Sequence, residues 1–231
     1  MYQKFSALLP WVVITIVTLL CSIIWLPAYF TFNRRIMTYA GCTCVVINLV
    51  VIEFLFRLKK DVEGFENVPD GACIIACKHQ SAIDPLYFPY FFPFMSVILK
   101  KELSKVPFMG SFFKNAGMIF IDRSSQLRSI KEILKGAKQV FDEGRKLVIF
   151  PEGTRVRYGQ RETIKNGITA IARKFPELKI VPVSLDSGKY WPKGSAIVPN
   201  STIKIRFGCP FSYSEYKEQI ASKIEDEINI L

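Results

Sequence analysis

A single histidine, His79, occurs in the 231 residues, and an aspartate follows it five positions later in Lys78-His79-Gln80-Ser81-Ala82-Ile83-Asp84-Pro85. A carboxylate on one imidazole nitrogen fixes the tautomer and leaves the other nitrogen free to take a proton, which is the arrangement of a general base. On one continuous helix, five residues would turn the two side chains ~140° apart, so the pair needs a loop that folds Asp84 back. Asp84-Pro85 reads as a helix N-cap followed by proline at the first helical position, and a loop leads into it. Ser81 stands only two residues from His79, a poor spacing for attack through it. Direct activation of a substrate hydroxyl, with no covalent enzyme intermediate, fits better. From its own residues the pair is either this base or a hydrogen-bonded structural histidine beside a helix cap.

Two other groups follow strand-like runs. Phe150-Pro151-Glu152-Gly153-Thr154-Arg155 comes after residues 146–150, with Gly153 allowing close backbone approach and Arg155 offering a planar fork suited to phosphate. In Gly117-Met118-Ile119-Phe120-Ile121-Asp122-Arg123 an arginine again ends an apolar run. Each arginine alone is usually a solvated charge or half of a surface ion pair. Three strand ends carrying His/Asp, Arg and Glu/Arg together point to a site, because open α/β sheets bind ligands at the carboxyl ends of their strands.

The elements that must position these residues are short apolar runs alternating with helical periodicity. Buried strands are expected over residues 72–77, 96–99, 118–121, 146–150, 180–185 and 202–207. Over 126–143, Leu127, Ile130, Leu134, Ala137, Val140 and Phe141 recur at helical spacing, with Gly144 at the C′ position. Residues 164–175 and 214–231 form two further helices, the last carrying Tyr216, Ile220, Ile224 and Ile228 every fourth residue. The alternation predicts an α/β fold, a layered domain with a largely parallel sheet flanked by helices, over residues 58–231. Residues 85–99 are uncharged and hold six Phe or Tyr between Tyr87 and Phe94. Prolines at 85, 89 and 93 argue against a membrane helix there. Core packing competes with an apolar surface that holds an acyl chain or dips into a bilayer.

Residues 1–57 differ in character. No charge occurs from Phe5 to Asn33, and the run 11–26 is apolar with Trp11 and Trp25 at its ends, as in an interfacial belt. No small-x-small cleavage site follows, which favours a retained anchor over a signal peptide. A second uncharged stretch, 36–52, carries Thr38, Tyr39, Gly41, Thr43 and Asn48. Two full spans would place Arg34 and Arg35 outside, against the positive-inside tendency. One span followed by a hydrophobic or interfacial helix on the cytoplasmic face is expected, with a hairpin dipping into one leaflet as the alternative. Lys4, Arg34, Arg35, Arg57 and Glu53 are the only charges in the first 57 positions, so most of the net +11 belongs to the remainder. That field suits an anionic membrane, a phosphorylated lipid, an acidic carrier or nucleic acid, though no nucleic-acid recognition motif is present. Six scattered cysteines read as buried hydrophobes in a reducing compartment, and one histidine with no second cysteine cluster makes no metal site.

The ordered blocks resemble the glycerolipid acyltransferase family with the H-x4-D motif, which includes lysophosphatidic acid acyltransferases. His79 and Asp84 match that motif, 117–123 the block ending in Asp-Arg, 150–155 the Phe-Pro-Glu-Gly-Thr-Arg block, and Val181-Pro182-Val183 the final hydrophobic-Pro block. Lys101-Glu102-Leu103 with Pro107 and Gly110 is similar to the family's connector. The likeness covers about residues 60–210. Lys78 departs from it, since many members have Asn there. The resemblance implies His79 and Asp84 as catalytic residues and Arg123, Glu152, Gly153 and Arg155 as substrate-binding ones. It implies acyl-CoA or acyl carrier protein as co-substrate, no other cofactor, and a lysophospholipid acceptor, 1-acylglycerol-3-phosphate, with phosphatidic acid as product. Other acceptors (a lyso-ornithine lipid, lysocardiolipin) and a non-catalytic lipid-binding membrane protein are the rival readings.

Overall fold

A computed structural model describes residues 2–31, 33–106, 109–122 and 126–231. Its core is one seven-stranded sheet of β1 (Lys59–Glu63), β2 (Ile74–Cys77), β3 (Met95–Lys100), β4 (Ile119–Ile121), β5 (Lys146–Ile149), β6 (Ile180–Leu185) and β7 (Thr202–Phe207), in the order β1-β7-β6-β2-β5-β3-β4. Every pairing is parallel except β6 with β7. The central strand β2 is buried at all four positions, because β6 and β5 cover both its edges and helices cover both its faces.

The six expected strands are present, within two residues at each end. β1 is the one the sequence reading lacks. It lies at the sheet edge, alternates exposed and half-buried positions, and reads Lys-Lys-Asp-Val-Glu. Charges of this kind protect an edge from pairing with another chain, and they hide the strand from an apolar-run criterion.

The helices are α1 (Tyr2–Ile24), α2 (Leu26–Tyr29), α3 (Arg34–Phe56), α4 (Asp84–Phe91), α5 (Met109–Asn115), α6 (Gln126–Asp142), α7 (Asn166–Lys174), α8 (Tyr213–Tyr216) and α9 (Ile220–Ile228). α6 and α7 lay Ile133, Ala137, Val140, Ile168 and Ile171 on one face of the sheet, beside Ile220, Ile224 and Ile228 of α9. Gly144 takes φ +68° after α6, the left-handed conformation its C′ position demands. The helix expected over 214–231 is broken instead: Lys217 takes φ 47°, and a 3₁₀ turn, Lys217–Gln219, separates α8 from α9. The isoleucine spacing reported one buried face and carried no information about that break.

The aromatic stretch after Asp84 belongs to the core. Tyr87, Phe88 and Phe92 are buried. Phe91 and Phe92 pack against Phe65 and Phe207 with ring centroids 5.3–6.3 Å apart. None of these rings lines the cavity that contains His79. Phe92→Ser is therefore expected to cost about 3 kcal/mol of stability, measured by thermal unfolding, without weakening attachment to lipid vesicles; weaker attachment with unaltered stability would reinstate the surface reading.

At the N-terminus, α1 and α3 are long and apolar enough to cross a membrane, and only 11% and 28% of their apolar windows are buried. A helix at the centre of a soluble core would be mostly covered. The tryptophans are used differently from a two-ended belt: Trp11 pairs with Trp191 of the α/β part at 5.8 Å, and Trp25 packs on the Ala28, Met37 and Ala40 cluster. α3 is tied to the α/β part at both ends. Thr38 Oγ1 donates to the Ala116 carbonyl and Arg34 pairs with Glu143 at one end, while Glu53 pairs with Lys60 of β1 at 2.8 Å at the other.

Candidate active site

The strand order brings together the carboxyl ends of three parallel neighbours, β6, β2 and β5. β2 runs into Lys78-His79, β5 into Phe150-Pro151-Glu152, and β6 into Asp186-Ser187. Neighbouring strands lie about 4.8 Å apart, so side chains from three sequence-distant segments meet without any long excursion of the chain.

Asp84 organises the site. Its Oδ2 lies 3.0 Å from His79 Nδ1 and accepts the Gln80 and Ser81 N–H groups at 2.7 Å each. Its Oδ1 accepts the Ser187 hydroxyl. Asp84 is fully buried, and these four donors replace the water it has lost. The carboxylate therefore bonds backwards into the His79 loop, and the N-cap of α4 falls on Ile83, with no side-chain cap bond. The Asp-Pro pair marks the start of α4 as expected, but the carboxylate serves the imidazole and not the helix end.

His79 is held on every side except one. Its N–H donates to Glu152 Oε2 at 3.0 Å, its carbonyl accepts the Val156 N–H at 2.7 Å, and its ring packs on Phe150 with centroids 4.3 Å apart. With Nδ1 on Asp84, Nε2 is the nitrogen left for a ligand. The side chain is 19% exposed and lines a cavity of about 700 Å³. Val97, Ile98, Leu99, Ile130, Ile133 and Ile164 form its aliphatic wall, while Lys100, Arg155, Lys165 and Lys193 supply its cations. Ser81 is fully buried, with its Oγ facing the Ile83 N–H, so it is not presented to a substrate.

The other sequence-derived site residues divide. Gly153 (φ +68°) and Arg155 line the same cavity as His79; a Cβ on Gly153 would come within 3.3 Å of Lys165. Arg123 lies outside the described residues. Glu152, expected to touch substrate, is fully buried and is not among the residues that line this cavity. Lys78 Nζ lies 2.8 Å from Glu152 Oε1 and also donates to the Gln160 carbonyl at 2.9 Å and to Asn229 Oδ1. The contact with Glu152 is a buried ion pair. Burial pushes the Glu152 carboxyl above its ordinary range, against the opposing pull of Lys78 and the His79 N–H.

The Ser187 bond to Asp84, the packing of Phe150 on His79 and the Lys78 ion pair were not expected from the sequence. Ser187 had no signal, because its role depends on β6 lying beside β2. Lys78 had one: a lysine directly after four apolar strand residues must either reach solvent or find a buried partner.

Comparisons with known proteins supply the family. A family model described as acyltransferase matches residues 59–186. A 1-acyl-sn-glycerol-3-phosphate acyltransferase of Borreliella burgdorferi is 36% identical over 80% of this chain and 74% of its own length. Proteins with the same name from Pseudomonas aeruginosa and Helicobacter pylori are 35% and 40% identical over 65% and 54% of this chain. The chain spans 58% and 53% of the length of those two relatives. The crystal structure of a 1-acyl-sn-glycerophosphate (LPA) acyltransferase from Thermotoga maritima superposes with a TM-score of 0.72, covering 94% of this chain and 92% of that one at 20% identity, which establishes a common fold. With the family model matching more than half of its residues, and His79 and Asp84 joined in the expected pair, the chain belongs to the acyltransferase family.

Proposed function

We propose that this protein transfers an acyl group from a thioester to the free hydroxyl of 1-acylglycerol-3-phosphate, giving phosphatidic acid. The observation that carries this reading is the His79 ring, fixed through Nδ1 by Asp84 at 3.0 Å and lining a cavity with an aliphatic wall and several cations. Nε2 takes the proton of the acceptor hydroxyl as its oxygen attacks the thioester carbonyl. The tetrahedral adduct collapses by breaking the C–S bond, and the departing thiolate takes the proton back from the imidazolium. No enzyme-bound acyl group and no further cofactor enter this scheme. Arg155 holds the acceptor phosphate as a bidentate partner, and Gly153 gives it room. Glu152 acts beneath the site by holding the His79 backbone.

We place α1 and α3 as a hairpin in one leaflet of the membrane, with the α/β part on the cytoplasmic side. The Thr38 bond to the Ala116 carbonyl at one end of this 23-residue helix and the Glu53–Lys60 pair at the other support a helix that lies along the folded body. The basic excess then meets anionic lipid, and the cysteines stay in a reducing compartment.

Offering the protein a panel of lysophospholipids, with labelled acyl-CoA and labelled acyl carrier protein, tests the reaction and the acceptor together. Phosphatidic acid is the expected labelled product; label appearing only in another lipid would replace the acceptor, and no label at all would favour a non-catalytic lipid-binding role. Arg155→Ala is expected to raise the acceptor KM about ten-fold with a smaller change in kcat. An unchanged acceptor KM would remove Arg155 from the phosphate.

A further inference from the structure

A second cavity, of about 640 Å³, lies beside the one that contains His79. The two share Thr154, Arg155 and Lys193, so one elongated ligand can occupy both. Their walls differ. The aliphatic residues of the first cavity are absent from the second, where only Val156 and Pro192 are apolar apart from Gly188; Gln80, Arg157, Tyr158, Gln160 and Ser195 give it a polar lining.

Its charge is largely uncompensated. Arg155, Arg157 and Lys193 form no ion pair among the described residues, and Glu162 is the single acid on the wall. Gln80, almost fully buried, spends its Oε1 on the Gly188 N–H at 3.0 Å, leaving its amide nitrogen as a donor. The segment is also fixed in place: Val156 is buried and its N–H donates to the His79 carbonyl, so Arg155 and Arg157 flank a residue bonded directly to the reactive one. An anion is the ligand such a lining recognises.

Length decides which anion. The acceptor carries its phosphate on the carbon next to the reacting hydroxyl, so that phosphate must stay near His79, within reach of Arg155. A thioester donor carries its phosphate at the far end of the pantetheine arm, well removed from the carbonyl. Arg157 lines only the second cavity. We propose that this cavity holds the phosphate end of the donor's phosphopantetheine arm, bound by Arg157 and Lys193, while the acyl chain lies along the aliphatic wall of the first. The assignment rests on the acyl-transfer reading and adds the donor's site to it. Both coenzyme A and acyl carrier protein present this arm, so the chemistry is common to the two sources.

Calorimetric titration of the full chain in detergent with 4′-phosphopantetheine, pantetheine, coenzyme A and holo-acyl carrier protein provides the test. Phosphopantetheine should bind about ten-fold more tightly than pantetheine, the worth of one charge-assisted contact open to solvent. Arg157→Ala should erase that ratio and Arg157→Lys should restore most of it; Arg157 is exposed, so neither change threatens the fold. Coenzyme A binding more tightly than phosphopantetheine assigns the nucleotide donor, and a tighter holo-carrier assigns the protein donor; each supports the site. Equal affinities for phosphopantetheine and pantetheine in the unaltered protein, or a ratio untouched by Arg157→Ala, would overturn it. Because binding is read without turnover, a silent lysophospholipid panel would sink the reaction without deciding this result.

Discussion

Replacing His79 with alanine should lower acyl transfer about 10³-fold while the protein remains folded, whereas Asp84→Asn should lower it about 10²-fold. The first expectation follows from how the residue is held. The bonds that fix the loop run through the His79 backbone, to Glu152 and from Val156, and alanine keeps both. Only the ring, its proton capacity and its contact with Phe150 are lost. The second expectation follows from the division of labour on the carboxylate. One oxygen takes His79, Gln80 and Ser81, and the other takes Ser187, whose hydroxyl can reverse and accept instead. Asparagine can therefore keep its oxygen on the imidazole side and preserve the tautomer, losing only the negative charge that stabilises the imidazolium. Transfer of labelled acyl groups to lysophosphatidate, with circular dichroism as the folding control, measures both. Substantial turnover in His79→Ala would strip the imidazole of its role as base. Full activity in Asp84→Asn would show that orientation suffices without charge.

Much of this site was readable one strand end at a time. His79 and Glu152 each follow a short apolar run, and such runs end where an α/β sheet presents its ligands. What the sequence could not show was adjacency. Nothing in residues 180–187 announces that β6 lies beside β2, so the Ser187 hydroxyl on Asp84 became visible only with the strand order. Local signals were also ambiguous in kind. Asp-Pro marks a helix start whether the carboxylate caps that helix or turns back to another residue, and here it turns back. Glu152 is assigned to the substrate only by the family resemblance, which says nothing of how deeply the side chain is buried. Its complete burial depends on Lys78 and Asn229, the latter 77 positions further along the chain. Edge strand β1 escaped because strand criteria look for apolar residues, and edges are kept charged.

The buried pair beneath His79 yields the other large effect. Lys78→Met should destabilise the protein by about 3–5 kcal/mol near neutral pH, because it leaves the Glu152 carboxylate desolvated and without its cation. Glu152→Gln should cost a similar amount by stranding the ammonium, even though glutamine can still accept the His79 N–H. The double variant should recover more than half of either loss, since a matched neutral pair no longer buries an isolated charge. Lys78→Met has a further signature. Burial already holds the Glu152 carboxyl above its ordinary range, and removing Lys78 withdraws one of the influences that pull it down. A carboxyl raised in the folded state binds its proton more tightly there than in the unfolded chain, so stability falls as pH rises from the unfolded value through the folded one. The deficit of Lys78→Met should accordingly be small in the ordinary carboxylate range and grow as the pH rises above it, and Lys78→Met/Glu152→Gln should lose that slope. Unfolding midpoints across this range, followed by near-ultraviolet circular dichroism, distinguish the cases. A deficit independent of pH, or a double variant no better than the worse single one, would mean that Lys78 serves Gln160 and Asn229 alone and that the charge of Glu152 is balanced elsewhere.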